Sequence, residues 1–275
     1  MGKRKVLLVE PNYKNKYPPM GLMKLATYFR RRGDDVRFYK GDMKAFAVQL
    51  VCEDLIRNLS FRFPDVCWAE YYPTLKDYVR LGKRKTLAGN NLLQDETVFD
   101  ILKVYREKFR NQDYFIHPRF DRVCVTTLFT FYWQITIDTI NFAKRLCKPA
   151  ETNLSAEPSL RPVMVGGIMS SLIPEEVEKA TGITPHRGLL DRPHLVDEDS
   201  EDVIDELPLD YSILEEIDYV YPANNAYFAY MTRGCVNKCR FCAVPRLEPN
   251  YRDHVGLRKQ IEETKRRFGS QKDLL

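Results

Sequence analysis

The chain has no long apolar stretch. Its longest run without a charged residue, Val123 to Ile137, covers 15 residues and is broken by Thr126, Thr127, Thr130, Gln134 and Thr136, too short and polar to cross a bilayer. Nor is a signal peptide or acyl anchor readable: behind the basic start Met1-Gly2-Lys3-Arg4-Lys5, only Val6 to Val9 precede Glu10. A cytoplasmic chain with no membrane partner is expected. Glycine and proline are sparse, 13 and 16 of 275 residues, and with 44% apolar, 12% aromatic and 29% charged residues this excludes a fibre or a disordered chain. Histidine is rarer still, and His117, His186, His194 and His254 show no catalytic pairing by spacing. Seven cysteines, an odd number without a secretion signal, argue against a disulfide framework.

What is present is organised. At roughly 100–200 residues per domain, the length suggests two domains. The net charge of +5 is concentrated: Met231 to Leu275 holds 11 Lys and Arg against 5 Asp and Glu, or +6, which leaves −1 for everything before it. Lys5 to Glu10 reads as a buried parallel strand. Leu22, Leu25, Ala26 and Phe29, behind Pro18-Pro19 and ahead of Arg30 to Arg32 and Gly33, spell a helix with a C-terminal stop, and Val36 to Tyr39 completes a β-α-β unit.

The third strand, Val123 to Thr127, comes late. An insertion of about 43–120 must fill the gap, with helical patterns at Val48, Val51, Cys52, Leu55, Leu59 and at Val98, Ile101, Leu102, Tyr105, Phe109; a cap specific to this protein is expected. A helix over Phe131 to Cys147, a strand over Pro162 to Gly167 and a helix opening at Pro174 follow. The alternation predicts an α/β, Rossmann-like domain over 1–194. Asp197 to Glu206, with seven acidic residues in ten, reads as part of an exposed linker over 195–224. Cys52 and Cys147 sit at core spacing. Phe129, Phe131, Tyr132 and Trp133 suit either a cofactor-facing wall or core packing, and Gly166-Gly167 either a cofactor approach or a tight turn. Lys83-Arg84-Lys85 reads as solvated surface, and nucleic acid is not an expected partner.

An aromatic strand, Ala226 to Met231, runs into Thr232-Arg233-Gly234-Cys235-Val236-Asn237-Lys238-Cys239-Arg240-Phe241-Cys242. Three thiolates spaced Cys-x3-Cys-x2-Cys can bind three irons of a 4Fe-4S cube and leave the fourth exchangeable. The bland alternative is a structural zinc site, with His254 as fourth ligand.

This spacing, with Phe241 just before the third cysteine, Gly234 before the first and Ala243-Val244-Pro245 after the third, resembles the radical SAM superfamily. Pro18-Pro19-Met20-Gly21-Leu22, the Gly33 to Val36 turn, and Met164-Val165-Gly166-Gly167 with Pro174-Glu175-Glu176 resemble the cobalamin-binding-type domain that precedes many radical SAM barrels. The resemblance implies a (β/α)6 barrel beginning at 225–275 and incomplete there, with Cys235, Cys239 and Cys242 as cluster ligands. It also implies S-adenosylmethionine (SAM) on the open iron with Phe241 against its adenine, Gly166 and Gly167 near a cofactor, and a reductant such as ferredoxin or flavodoxin. The Asp-x-His-x-x-Gly signature of histidine-ligated cobalamin is absent, which leaves open cobalamin held without a histidine. The substrate is not readable. The Cys-Ala-Val-Pro flank also resembles tRNA methylthiotransferases, but the loop Pro11 to Pro19 lacks the cysteine expected there. A non-catalytic corrinoid- or partner-binding module braced by zinc is the alternative of another class.

Overall fold

In a computed structural model, residues 2–149 and 161–275 are described. They form two compact units, one of residues 1–41 with 120–275, the other of residues 42–119.

The larger unit is built on a parallel sheet of β1 (Lys5–Pro11), β2 (Asp35–Gly41), β3 (Arg122–Thr127) and β4 (Val163–Gly167), in the order β2-β1-β3-β4. Leu8 pairs in register with Phe38 and with Cys124, and Cys124 with Met164. Because side chains alternate across a strand, both faces are apolar. Val6, Leu8, Phe38, Cys124 and Met164 join one core cluster with α1 (Met20–Arg31). Leu7, Val9, Val123, Val125 and Val165 are buried on the other side, where α7 (Trp133–Ala143) contacts β1 and β3. The helix α1 ends as its sequence directs: Gly33 is left-handed (φ 83°), and Gly33 N–H and Asp34 N–H bond the carbonyls of Arg30 and Phe29 at 3.0 Å. The short helices α8 (Ile168–Leu172) and α9 (Pro174–Thr181) follow β4.

The expected 195–224 linker is a correction. Val196, Ile204, Leu207, Leu209, Tyr211 and Ile213 are buried in the α1-side core. This segment covers that face together with α1, its apolar residues interleaved with acidic ones. The buried acids are neutralised rather than solvated. Asp197 takes Arg4 at 2.7 Å and Arg122 at 3.2 Å, and Asp210 takes Arg30 at 2.7 Å. The segment therefore does not separate two domains: Ala226, Phe228 and Phe268 pack into the same core.

Beyond it the expected aromatic strand is reduced to β5 (Ala226–Tyr227), followed by β6 (Thr232–Arg233), the one-turn helix α10 (Val244–Leu247), β7 (Arg252–Asp253), α11 (Leu257–Phe268) and β8 (Asp273–Leu274). β5 pairs parallel with β8 across α11, and β6 pairs antiparallel with β7. The Phe131 to Cys147 helix is likewise shorter, with a 3-10 turn on each side of α7.

The smaller unit contains α2 (Met43–Arg62), α3 (Tyr72–Leu81), α4 (Asn91–Gln94), α5 (Glu96–Arg110) and α6 (Asp113–Ile116). Helices α2, α3 and α5 pack on one another and bury Val48, Val51, Cys52, Leu55 and Leu59 with Leu75, Val79, Val98 and Leu102. Asp42 and Asp95 cap α2 and α5 through their side chains. No helix among the described residues is long and apolar enough to cross a membrane.

Candidate functional site

In open α/β sheets, ligands bind outside the carboxyl ends of the strands, where the strand order reverses. Here that point lies between β1 and β3, and the chain's own side chains fill it. Tyr13, from the loop after β1, is buried, stacks against Tyr132 with ring centroids 4.6 Å apart and hydrogen-bonds Thr136 Oγ1 at 2.5 Å. Beside it Lys40 is wholly buried on Glu10 at 3.0 Å, with the Tyr219 ring 4.4 Å from its ammonium and the Tyr221 hydroxyl donating to Glu10.

The open space lies one strand further on. A cavity of about 500 Å3 opens over the ends of β3 and β4 at Thr126, Gly166 and Gly167, beside the first turn of α1 and the segment around Arg233. That volume suits a small-molecule ligand. Gly21 and Gly166 keep the space clear, since a Cβ on either would meet nothing within 4 Å. Gly167 serves the turn: it has φ 113°, and a Cβ there would lie 2.2 Å from the Thr127 carbonyl oxygen. The tight turn is thus seen at Gly167, and both glycines line the cavity.

The far wall of the cavity is the neck of the cysteine loop. β6 and β7 pair Thr232 with Asp253 and Arg233 with Arg252, closing residues 234–251 into a loop. Gly234 at its start is left-handed (φ 73°), and a Cβ would lie 2.4 Å from the Asn250 carbonyl oxygen. Its N–H donates to Glu248 Oε2 at 2.7 Å. Arg233 is buried, with Nε on Asp205 Oδ2 at 3.0 Å, Nη1 on Glu248 Oε1 at 3.1 Å and its guanidinium 3.9 Å from the Tyr230 ring centroid. Asp205 also takes Lys24 Nζ on Oδ1 at 2.9 Å. Two cations face two carboxylates, so this wall carries no net charge.

Burial alone would raise Asp205, but Lys24 and Arg233 outweigh it and hold the carboxyl below its ordinary range. Burial lowers Lys24, against the pull of Asp205. His254 places Nε2 3.2 Å from the Asp205 carbonyl oxygen, where it is the donor, and burial lowers its pKa against the pull of the Asp205 carboxylate.

Past Gly234 the loop is in solvent. Every residue from Cys235 to Phe241 is exposed, Phe241 by 94%, and Cys242 is half-buried. All three thiols are free. Cys235 Sγ accepts the Asn237 N–H at 3.4 Å, and Cys242 N–H bonds the Cys239 carbonyl at 3.1 Å. Among the described residues no three Cys, His, Asp or Glu side chains converge as a metal site. The donor set itself suits a cluster: three free thiols on one short, unencumbered loop, which a metal would draw together on binding.

The other candidates lie elsewhere. Cys52 and Cys147 are buried, as core residues. Phe129 and Phe131 are exposed by 44% and 75%, stacked on each other, and line neither a core nor the cavity. The core reading fails for them because both lie in the turn between β3 and α7. Lys83, Arg84 and Lys85 are exposed. Sequence reasoning missed Asp205, Lys24 and Glu248. An acid in an acidic run and a lysine in a helix carry no signal of pairing until the segment folds back, although the Arg233-Gly234 pair ahead of the first cysteine was visible. No family model matches the chain, and neither a curated protein nor a solved structure matches it.

Proposed function

We propose that the chain is a radical SAM protein of the kind with a cobalamin-binding-type domain ahead of its barrel. The observation that carries this reading is the set of three free thiols of Cys235, Cys239 and Cys242 on one exposed loop behind the locked Gly234. The parallel β5-α11-β8 unit supports it, being the repeat from which a (β/α)6 barrel is assembled. A 4Fe-4S cluster, when bound, would supply the electron that cleaves SAM to methionine and a 5′-deoxyadenosyl radical, the electron coming from a reductant such as ferredoxin or flavodoxin.

The chain's own residues have defined parts. The three thiolates would hold three irons of the cluster and leave the fourth open to SAM. Phe241, 94% exposed, would be free to lie against the adenine of SAM. Exposed Lys238 and Arg240 offset the negative charge of the thiolates and their ligand. Gly166, Gly167 and Gly21 leave the cavity behind the loop for a cofactor or substrate. Cobalamin, where it binds, would be held without a histidine ligand.

Anaerobic reconstitution with iron and sulfide, followed by electron paramagnetic resonance (EPR) with and without SAM, tests the proposal. The expected result is about four irons per chain, a spectrum that changes when SAM is added, and loss of both in Cys235→Ala. Uptake of zinc in place of iron, or a cluster indifferent to SAM, would overturn it. In the zinc reading His254 would have to ligate through Nδ1, since its Nε2 meets the Asp205 carbonyl.

A further inference from the structure

We infer that Asp205 is a positioning residue for the cysteine loop, joining the cavity to the cluster site; the inference rests on the radical SAM reading above. Asp205 belongs to the segment that covers the sheet, 30 positions before Cys235, yet the fold fastens the loop to it. Its carboxylate grips the Arg233 guanidinium with both oxygens, through Nε at 3.0 Å and through Nη2, and holds Lys24 Nζ at 2.9 Å. A planar fork on a carboxylate fixes direction as well as distance. Arg233 stands two residues before Cys235, and Gly234 between them has its own direction set by Glu248 and Asn250.

Cys235 to Phe241 are all exposed, so the start of the loop is held from its neck, by these contacts and by the β6–β7 pairing. The neck is therefore where its geometry is decided. The same groups, Lys24, Asp205, Arg233, Gly234 and Glu248, also line the cavity. An occupant of the cavity would press on the pair that aims the first cysteine. Removing the Asp205 charge leaves Lys24 without its carboxylate and Arg233 on Glu248 alone, and the guanidinium is free to turn, taking Gly234 and Cys235 with it.

Loss of a buried carboxylate also destabilises, so the test needs a matched control. Asp197 supplies it: it lies on the same segment and is paired with Arg4 and Arg122, but does not touch the neck. The full chain is compared as wild type, Asp205→Asn, Asp205→Glu and Asp197→Asn, each shown to be folded by circular dichroism. Iron content, EPR with and without SAM, and amide hydrogen exchange over residues 234–251 are then measured. In Asp205→Asn the Gly234 amide should exchange about tenfold faster, retained iron should fall at least about threefold, and the SAM-induced spectral change should be lost. Asp205→Glu should restore the spectrum in part. Asp197→Asn should melt earlier with a wild-type spectrum and wild-type exchange at Gly234. Wild-type exchange and spectrum in folded Asp205→Asn, or equal changes in Asp197→Asn, would overturn the inference. A wild type that takes no cluster sinks the radical SAM reading instead, and exchange at Gly234 still decides whether Asp205 holds the loop.

Discussion

Gly234 shows how much a single residue can carry. Its φ of 73° and the 2.4 Å approach of the Asn250 carbonyl oxygen leave no room for a side chain. Gly234→Ala should lower stability by about 1–3 kcal/mol and raise the alkylation rate of Cys235. Gly256→Ala, where a Cβ meets nothing within 4 Å and φ is −56°, should do neither. Thermal melts and thiol labelling of the two variants check this. The glycine and its cysteines are legible in sequence because a local motif depends on neighbours in the chain. The partners of Arg233 are not legible, because Lys24, Asp205 and Glu248 meet only after the chain has crossed the sheet.

Buried acids make a second prediction at this scale. Burial alone would raise Asp197 and Asp205, but their cations outweigh it, so both sit below the ordinary 3.8. A carboxylate depressed in the folded state adds stability that is fully present above its unfolded value and is lost as pH falls through the folded value. Urea unfolding midpoints should therefore hold down to about pH 5 and drop below about pH 4. Asp197→Asn should flatten that limb. An acid limb of unchanged slope in Asp197→Asn would refute the assignment.

Among the elements, the 195–224 segment separates appearance from role. By composition it is a linker, and by packing it is half the cover of one sheet face. Ile213 is fully buried and belongs to the same cluster as Val6 and Leu8. Ile213→Ala should cost about 2–4 kcal/mol in urea denaturation, as a core truncation does, whereas a true linker position would stay within about 0.5 kcal/mol. The helices read more truly. The apolar spacing of α1, α2 and α5 matches the residues they bury, since a 3.6-residue period is a local consequence of one buried side. Strands of two residues such as β5 to β8 carry too few side chains to show any period.

For the whole molecule, the uneven charge and the exposed apolar residues go together. Among the described residues β8 pairs with β5 alone, and Leu274 and Leu275 are about half exposed, while Phe241 and Val236 stand out at 94% and 71%. An unpaired edge with apolar side chains favours association. Sedimentation velocity over a range of concentrations should show self-association that Leu274→Lys reduces, and equal behaviour of the two chains would count against the edge.

Taken alone, the order of residues determined the α/β alternation, the ends of the first helix, the inserted helical unit and the cysteine loop, each of which is specified by spacing along the chain. Tertiary structure alone decided that the apolar residues of the 195–224 segment join the core, that Tyr13 closes the switch point, that the cavity opens over β3 and β4 instead, and that Asp205 and Glu248 meet Arg233 at the neck of the loop. The physical reason is common to these. A buried charge or an open cavity is settled by partners distant in sequence, and whether they arrive depends on the sheet that brings them together.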